Sequence, residues 1–233
     1  MAATLDVVTP PPWAAHVEDK QAPMPLLLVQ AFVDTLEADT GTDLLAHADE
    51  AEAWLAAAGL RDAGGAPGAG LGGDLNLARR ARESIRALIG RNTGGRPLTD
   101  DETGPLRTVL REAAPCLDLT ADGRVLLEAG GRPGSLAHGL LRLLLIIRDA
   151  QADGTWDRLK LCGNPDCRWA FYDRSHSRRG AWCDMASCGN RVKNRNLRAR
   201  RRGPRRTPRG DPGRREADRA SVSSVRGDHP AHY

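Results

Sequence analysis

The sequence predicts a mainly α-helical protein with one β-hairpin, in which an N-terminal helical domain is followed by a small cysteine-rich module and a basic helix. Three observations predict it. Segments with helical apolar spacing and capping residues recur between Leu26 and Asp153. A single Asp-Gly turn at 122–123 lies between two short apolar runs. Four of the five cysteines fall within 27 residues, directly ahead of a stretch dense in arginine.

Residues 1–25 carry five prolines and no periodicity, and read as a loose N-terminal extension. From Leu26, LLLVQAFVDTLEAD puts apolar side chains at 28, 29, 32, 33 and 36, a helical stripe. Residues 49–58 begin with acidic side chains, place Trp54 and Leu55 on an apolar face, and have Gly59 just past the end. The glycine-rich run 64–73 lacks the Gly-Lys-Ser/Thr ending of a phosphate-cradling loop and reads as a linker. Asp74 is placed to cap LNLARRARESIRALI, which Gly90 would end. Thr99 and Glu102 make a capping-box pattern for a helix that must stop before Pro115.

Residues 116–129, CLDLTADGRVLLEA, read as the β-hairpin. Ser135 can cap LAHGLLRLLLIIRDAQAD, apolar nearly all round and therefore expected to be the most buried helix. The helical domain so defined spans 26–155. None of its Ser, His, Asp or Glu residues fall into a catalytic pattern, so the protein is not expected to be an enzyme. No effector site is visible in it either.

The formal net charge of +4 hides a division: −9 over residues 1–157, +14 over 158–215 and −1 beyond. Charge packed that densely implies a polyanion partner for the basic part, nucleic acid first. Arginine outnumbers lysine 31 to 3, so its clustering carries more weight than its abundance. Five of the nine aromatic residues also fall between 156 and 182, enough for Trp169, Phe171 and Trp182 to form a small core there. The N-terminus lacks a basic start followed by an apolar run, which makes a cytoplasmic location the expectation. The apolar stretch 140–147 is far shorter than the roughly 20 residues a membrane span needs.

Cys162 and Cys167 form one C-x4-C pair and Cys183 and Cys188 another, with 15 residues between the pairs. Two close pairs brought together by a short excursion suit one tetrahedral, four-thiolate zinc ion. Four thiolates leave no open position for a catalytic water, so the zinc is expected to be structural and the module to fold only with it. Disulfides, a redox pair, or His176 replacing one cysteine are the weaker alternatives. Asp184 can cap the helix that carries Cys188, and Cys116, distant in sequence, reads as a buried small apolar residue.

The string CGNPDCRWAFYDRSHSRRGAWCDMASCGNRVKNRNLRARRR resembles the CGNR-type zinc finger. Cys162 and Cys167, Phe171 to Ser175, Arg178-Arg179, Trp182-Cys183 and Cys188-Gly189-Asn190-Arg191 with Lys193 carry the likeness. In that family the finger follows a domain called ABATE, in proteins described as stress-induced transcriptional regulators. FVDTL at 32–36 and AEAWLAAAGL at 51–60 are similar to that domain's N-terminal motifs. Gly180-Ala181 departs from the family, which commonly runs Arg-Arg-Trp-Cys without a break. The resemblance implies DNA-binding regulation.

After Cys188 no helix breaker occurs before Gly203-Pro204, so the helix starting near Met185 can reach about Arg202. At helical spacing Arg191, Arg195, Arg198 and Arg202 share a face, and Lys193 and Asn194 complete the candidate nucleic-acid contacts. Asn190, Asn194 and Asn196 are candidate base readers. The competing structural role for Asn190 is a bond to backbone near Cys188, and for Arg191 a pair with Asp173. The finger and its helix thus span 158–202. The polar, Pro- and Gly-rich segment 203–233 reads as disordered. RNA or an acidic protein is the alternative partner to DNA.

Overall fold

A computed structural model describes residues 11–17, 20–62 and 71–202. The described residues up to Lys193 form one compact unit, and those from Asn194 a second.

Six helices and two β-hairpins make up the described residues. Helix α1 (Leu26–Val33) is buried along all eight of its residues, so it is the hub of the core where a one-sided stripe was expected. It ends at Val33 because the chain turns back on itself: Leu36 bridges Asp43, the Glu37 N–H bonds Thr42 O, and Gly41 supplies the left-handed turn at φ +77°. Residues 11–17 and 20–25, read as part of a loose extension, pack on this hub with Ala14, Val17 and Ala22 buried.

Helix α2 (Ala48–Ala57) follows with the expected acidic first turn and Gly59 at φ +65°. Residues 64–70 of the expected linker lie outside the described residues. Its last three residues are helical, because α3 runs from Leu71 to Arg91. Asp74 is therefore inside the first turn, not a cap, and its carboxylate meets Arg61 at 2.9 Å. Helix α4 (Asp100–Ala113) has the full Thr99/Glu102 capping box and stops at Ala114, whose left-handed conformation precedes Pro115.

The predicted hairpin is present, β1 (Pro115–Leu119) against β2 (Val125–Ala129), with Gly123 at φ +82° in its turn. It projects into solvent: every residue of β1 is exposed, and with them Cys116, which is not the buried apolar residue expected. Ser135 accepts from the His138 N–H at the start of α5 (Leu136–Asp153). Nine of the helix's eighteen residues are buried, while Arg142, Arg148 and Asp149 face water, so α1 and not α5 is the most buried helix. No described helix is long and apolar enough to cross a membrane.

A second hairpin, which the sequence did not suggest, joins β3 (Leu159–Leu161) to β4 (Ala170–Tyr172). Its strands are only three residues long and it lies within the cysteine-rich module. Leu159, Ala170, Tyr172 and the neighbouring Trp156 are buried in the same core as α1 and α5. Each large apolar side chain taken out of water there contributes about 1.5–3 kcal/mol.

Polar bonds fix the same seam. Gln30 donates to Ala170 O at 3.1 Å and Asp34 accepts from Ala170 N at 2.8 Å. Asn92 donates to Trp156 O and Leu159 O, both at 2.8 Å. Arg86, only 1% exposed, donates to Val33 O at 2.7 Å and to Arg168 O at 3.0 Å. Its guanidinium thereby ties the end of α1 to the turn between β3 and β4.

Candidate metal centre

The first cysteine pair sits on the turn of the second hairpin. Cys162 N–H bonds Trp169 O at 2.8 Å, closing the β3–β4 ladder, and Cys167 N–H bonds Asn164 O at 3.0 Å. Arg168, in the left-handed region at φ +54°, lets the chain leave the turn. The second pair precedes and enters a helical run, one π turn (Met185–Gly189) that passes directly into α6 (Asn190–Arg202). Asp184 caps that turn as expected, accepting from Ala186 N at 3.1 Å and Ser187 N at 2.7 Å. Gly163 N–H bonds Ala181 O at 2.8 Å, which draws the two pairs together.

The four Sγ atoms of Cys162, Cys167, Cys183 and Cys188 lie within 4.8 Å of one another, three of the cysteines buried and Cys183 half-buried. Cys167 Sγ and Cys183 Sγ are 3.7 Å apart. A zinc ion with bonds of about 2.3 Å to four sulfurs spaces those sulfurs by about 3.8 Å. Disulfide sulfurs would be about 2 Å apart, and all five cysteines are free. His176 is exposed and takes no part in the cluster.

Three of the thiols also interact strongly with one another. Hydrogen bonds from the Cys167 and Cys183 thiols pull Cys162 down to about 2, with backbone N–H groups of Cys183 and Asn164 also donating. Sharing a proton with Cys162 pushes Cys167 up to about 12, and Cys183 is raised further. Among these three, one thiolate is favoured and the other two are opposed. A divalent ion at the centre removes that opposition.

Around the sulfurs, Asn164 Nδ2 donates to Cys188 Sγ at 3.8 Å from a position 1% exposed. The Cys-Gly-Asn-Arg run can be read residue by residue. Cys188 is a ligand. At Gly189 a Cβ would lie 2.5 Å from Met185 Sδ and 3.2 Å from Trp182 Cδ1, so a side chain there would displace Met185. Asn190 Nδ2 bonds Ala186 O at 3.0 Å, the structural role that competed with base reading. Arg191 reaches Asp39 Oδ2 at 3.7 Å and not Asp173, whose carboxylate is taken by Lys160.

Residues 158–201 match the model of the CGNR zinc finger. Residues 26–152, more than half of the chain, match the model of ABATE, described as "Putative stress-induced transcription regulator". The chain belongs to the ABATE family. No curated protein matches it.

In this ABATE protein the finger is a zinc-binding element built partly from the body's own core. Of the three aromatics expected to give it a separate core, Trp169 and Trp182 pack against the cysteines. Phe171 is fully buried on β4, and Trp156 and Tyr172 belong to the main core. The candidate nucleic-acid residues Arg191, Lys193, Asn194, Arg195 and Arg198 all lie on α6 and are exposed. Arg202 is the last residue of that helix. Sequence reasoning missed Lys20, whose Nζ donates to Trp182 O at 2.6 Å, and with it Gln30, Asp34 and Arg86, which tie body to finger. Only pairing across more than fifty residues gives them their roles, and no local pattern carries that information.

Proposed function

We propose that this ABATE protein is a non-enzymatic transcriptional regulator that binds duplex DNA through α6, with one structural zinc ion fixing the start of that helix. The observation that carries this reading is the helix itself. Its thirteen residues, NRVKNRNLRARRR, include seven basic and no acidic side chains, and those from Lys193 to Arg201 are exposed. Self-repulsion of that density is relieved by phosphates. Held at its N-terminal end by Cys188, the helix is suited to lie in a major groove or along the backbone, with Asn194 and the arginines reaching base edges. Four thiolates fill the coordination sphere of the zinc, so its part here is architectural.

The test is a gel shift of the zinc-loaded full chain against random duplex DNA, single-stranded DNA and RNA at several salt concentrations. Preferred binding of duplex, with log affinity falling by about 0.9 per log salt for each phosphate contact, is the expected result. Preference for RNA, or no binding to any of the three, replaces this reading with an interaction module for RNA or for an acidic protein.

A further inference from the structure

A cleft of about 600 Å³ opens between the 34–44 segment of the body and the cysteine turns, within the first compact unit. Asp34 lines it. This side chain is 2% exposed; its Oδ1 accepts from Ala170 N at 2.8 Å, while its Oδ2 is buried and meets no donor. A carboxyl oxygen in that situation is costly to bury unless a donor arrives. The neighbouring Arg86 does not supply one: its Nη atoms are directed to Val33, Leu36 and Arg168 carbonyls, and its Nε, itself without a hydrogen-bond partner, lies 3.2 Å from Glu83 Oε2.

The rest of the lining says what kind of donor fits. Glu37, Asp39 and Asp184 add acidic groups, against Arg191, which already faces Asp39. The sulfurs of Cys167, Cys183 and Cys188 border the same space, and the charged side chains around it are mostly acidic. One wall is aromatic: the rings of His16 and Trp169 meet edge to face at 6.5 Å. Acidic groups beside an aromatic wall are what organic ammonium ions bind to.

We propose that this cleft is a binding site for a small organic amine, whose ammonium group donates to Asp34 Oδ2 and whose body lies along Trp169. The ligand would touch the body and the zinc-binding turns at once. Nothing in this requires the protein to bind DNA, and the measurement uses no nucleic acid.

The experiment is isothermal calorimetry of the zinc-loaded full chain with agmatine, putrescine and benzylamine, and with benzoate as anionic control. Saturable one-to-one binding of at least one amine and none of benzoate is expected. Asp34→Asn keeps the acceptor for Ala170 N but presents an amide to the cleft, and should weaken that amine about 10- to 100-fold, the loss of one charge-assisted bond. Glu37→Lys, on a half-buried loop position and so tolerated by the fold, should weaken it comparably and decides the matter if Asp34→Asn does not fold. Failure of all three amines, binding of benzoate in preference, or unchanged affinity in the folded variants overturns the proposal.

Discussion

Lys160 Nζ lies 2.9 Å from Asp173 Oδ2, with both side chains more than nine-tenths buried. The pair spans the second hairpin from β3 to the residue after β4, and it organises the excursion between the two cysteine pairs. Asp173 also accepts from Ser175 N at 3.0 Å and Gly180 N at 2.7 Å, and Lys160 also donates to Arg178 O. The Gly180-Ala181 insertion is accommodated here. A Cβ at Gly180 would stand 2.8 Å from Asp173 Cγ, so glycine is required where the carboxylate comes closest. Burial opposes the charge on Asp173, but hydrogen bonds from Ser175, Lys160 and Gly180 outweigh it and hold the carboxyl well below its usual range.

Replacing Lys160 by Met leaves that carboxylate buried without its cation. The expected loss is about 3–5 kcal/mol of unfolding free energy at pH 7, read by urea denaturation of the zinc-loaded protein. A loss below about 1 kcal/mol is what an exposed ion pair gives, and would remove the pair from its organising role.

Asn164 donates to the sulfur of a ligand and touches no metal itself, so its effect is on the ligand's orientation and charge. Asn164→Ala should retain the fold and weaken zinc affinity by about 10- to 100-fold, measured by competition with a chromogenic chelator. Cys183→Ser, which removes a ligand outright, should lose more. Equal affinity in Asn164→Ala and the parent protein would show that the 3.8 Å contact does not support the site.

Local signals were the legible part of this protein. The Thr99/Glu102 capping box, the Ser135 and Asp184 caps and the two C-x4-C pairs each depend on residues a few positions apart; the caps lie where the spacing predicts, and the four cysteines cluster. What local spacing could not convey was which faces meet. Strands of three residues are too short to show alternation, so β3 and β4 were hidden in the finger. Cys116 looks apolar in a run of apolar residues, but the strand carrying it is exposed along its whole length. The cleft beside the cysteines was invisible for the same reason, since Asp34 and Ala170 are 136 residues apart.

Asp34 also has a pH signature. Burial raises its pKa well above the usual value, only partly offset by the Ala170 N–H and the charge of Arg86. A group raised in the folded state contributes stability fully present below its unfolded value, about 3.9, and lost as pH rises through its folded value. An asparagine side chain at this position has no charge to bury. The melting temperature of Asp34→Asn relative to the parent, without ligand, should therefore rise as pH increases above that unfolded value. A gap that stays constant over that range would show that Asp34 does not titrate in the fold.

The arginines of α6 should not contribute equally to nucleic-acid binding. Arg191 stands in the first turn and faces Asp39 at 3.7 Å, so it must give up an ion pair, though a mostly exposed one, before it can meet a phosphate. Arg198 lies two turns further along and is exposed. Salt slopes separate these roles better than affinities do, because a slope counts the counterions displaced whatever the strength of each contact. Arg198→Ala should reduce the magnitude of the duplex-DNA slope by about 0.9, the value of one phosphate contact, whereas Arg191→Ala should reduce it by clearly less. Asp39→Ala supplies the converse: with its acidic neighbour gone, Arg191 becomes available, and the slope should steepen. An identical reduction for Arg191→Ala and Arg198→Ala, with no change on removing Asp39, would mean that the whole helix meets phosphates uniformly and that the Asp39 contact is given up at no cost on binding.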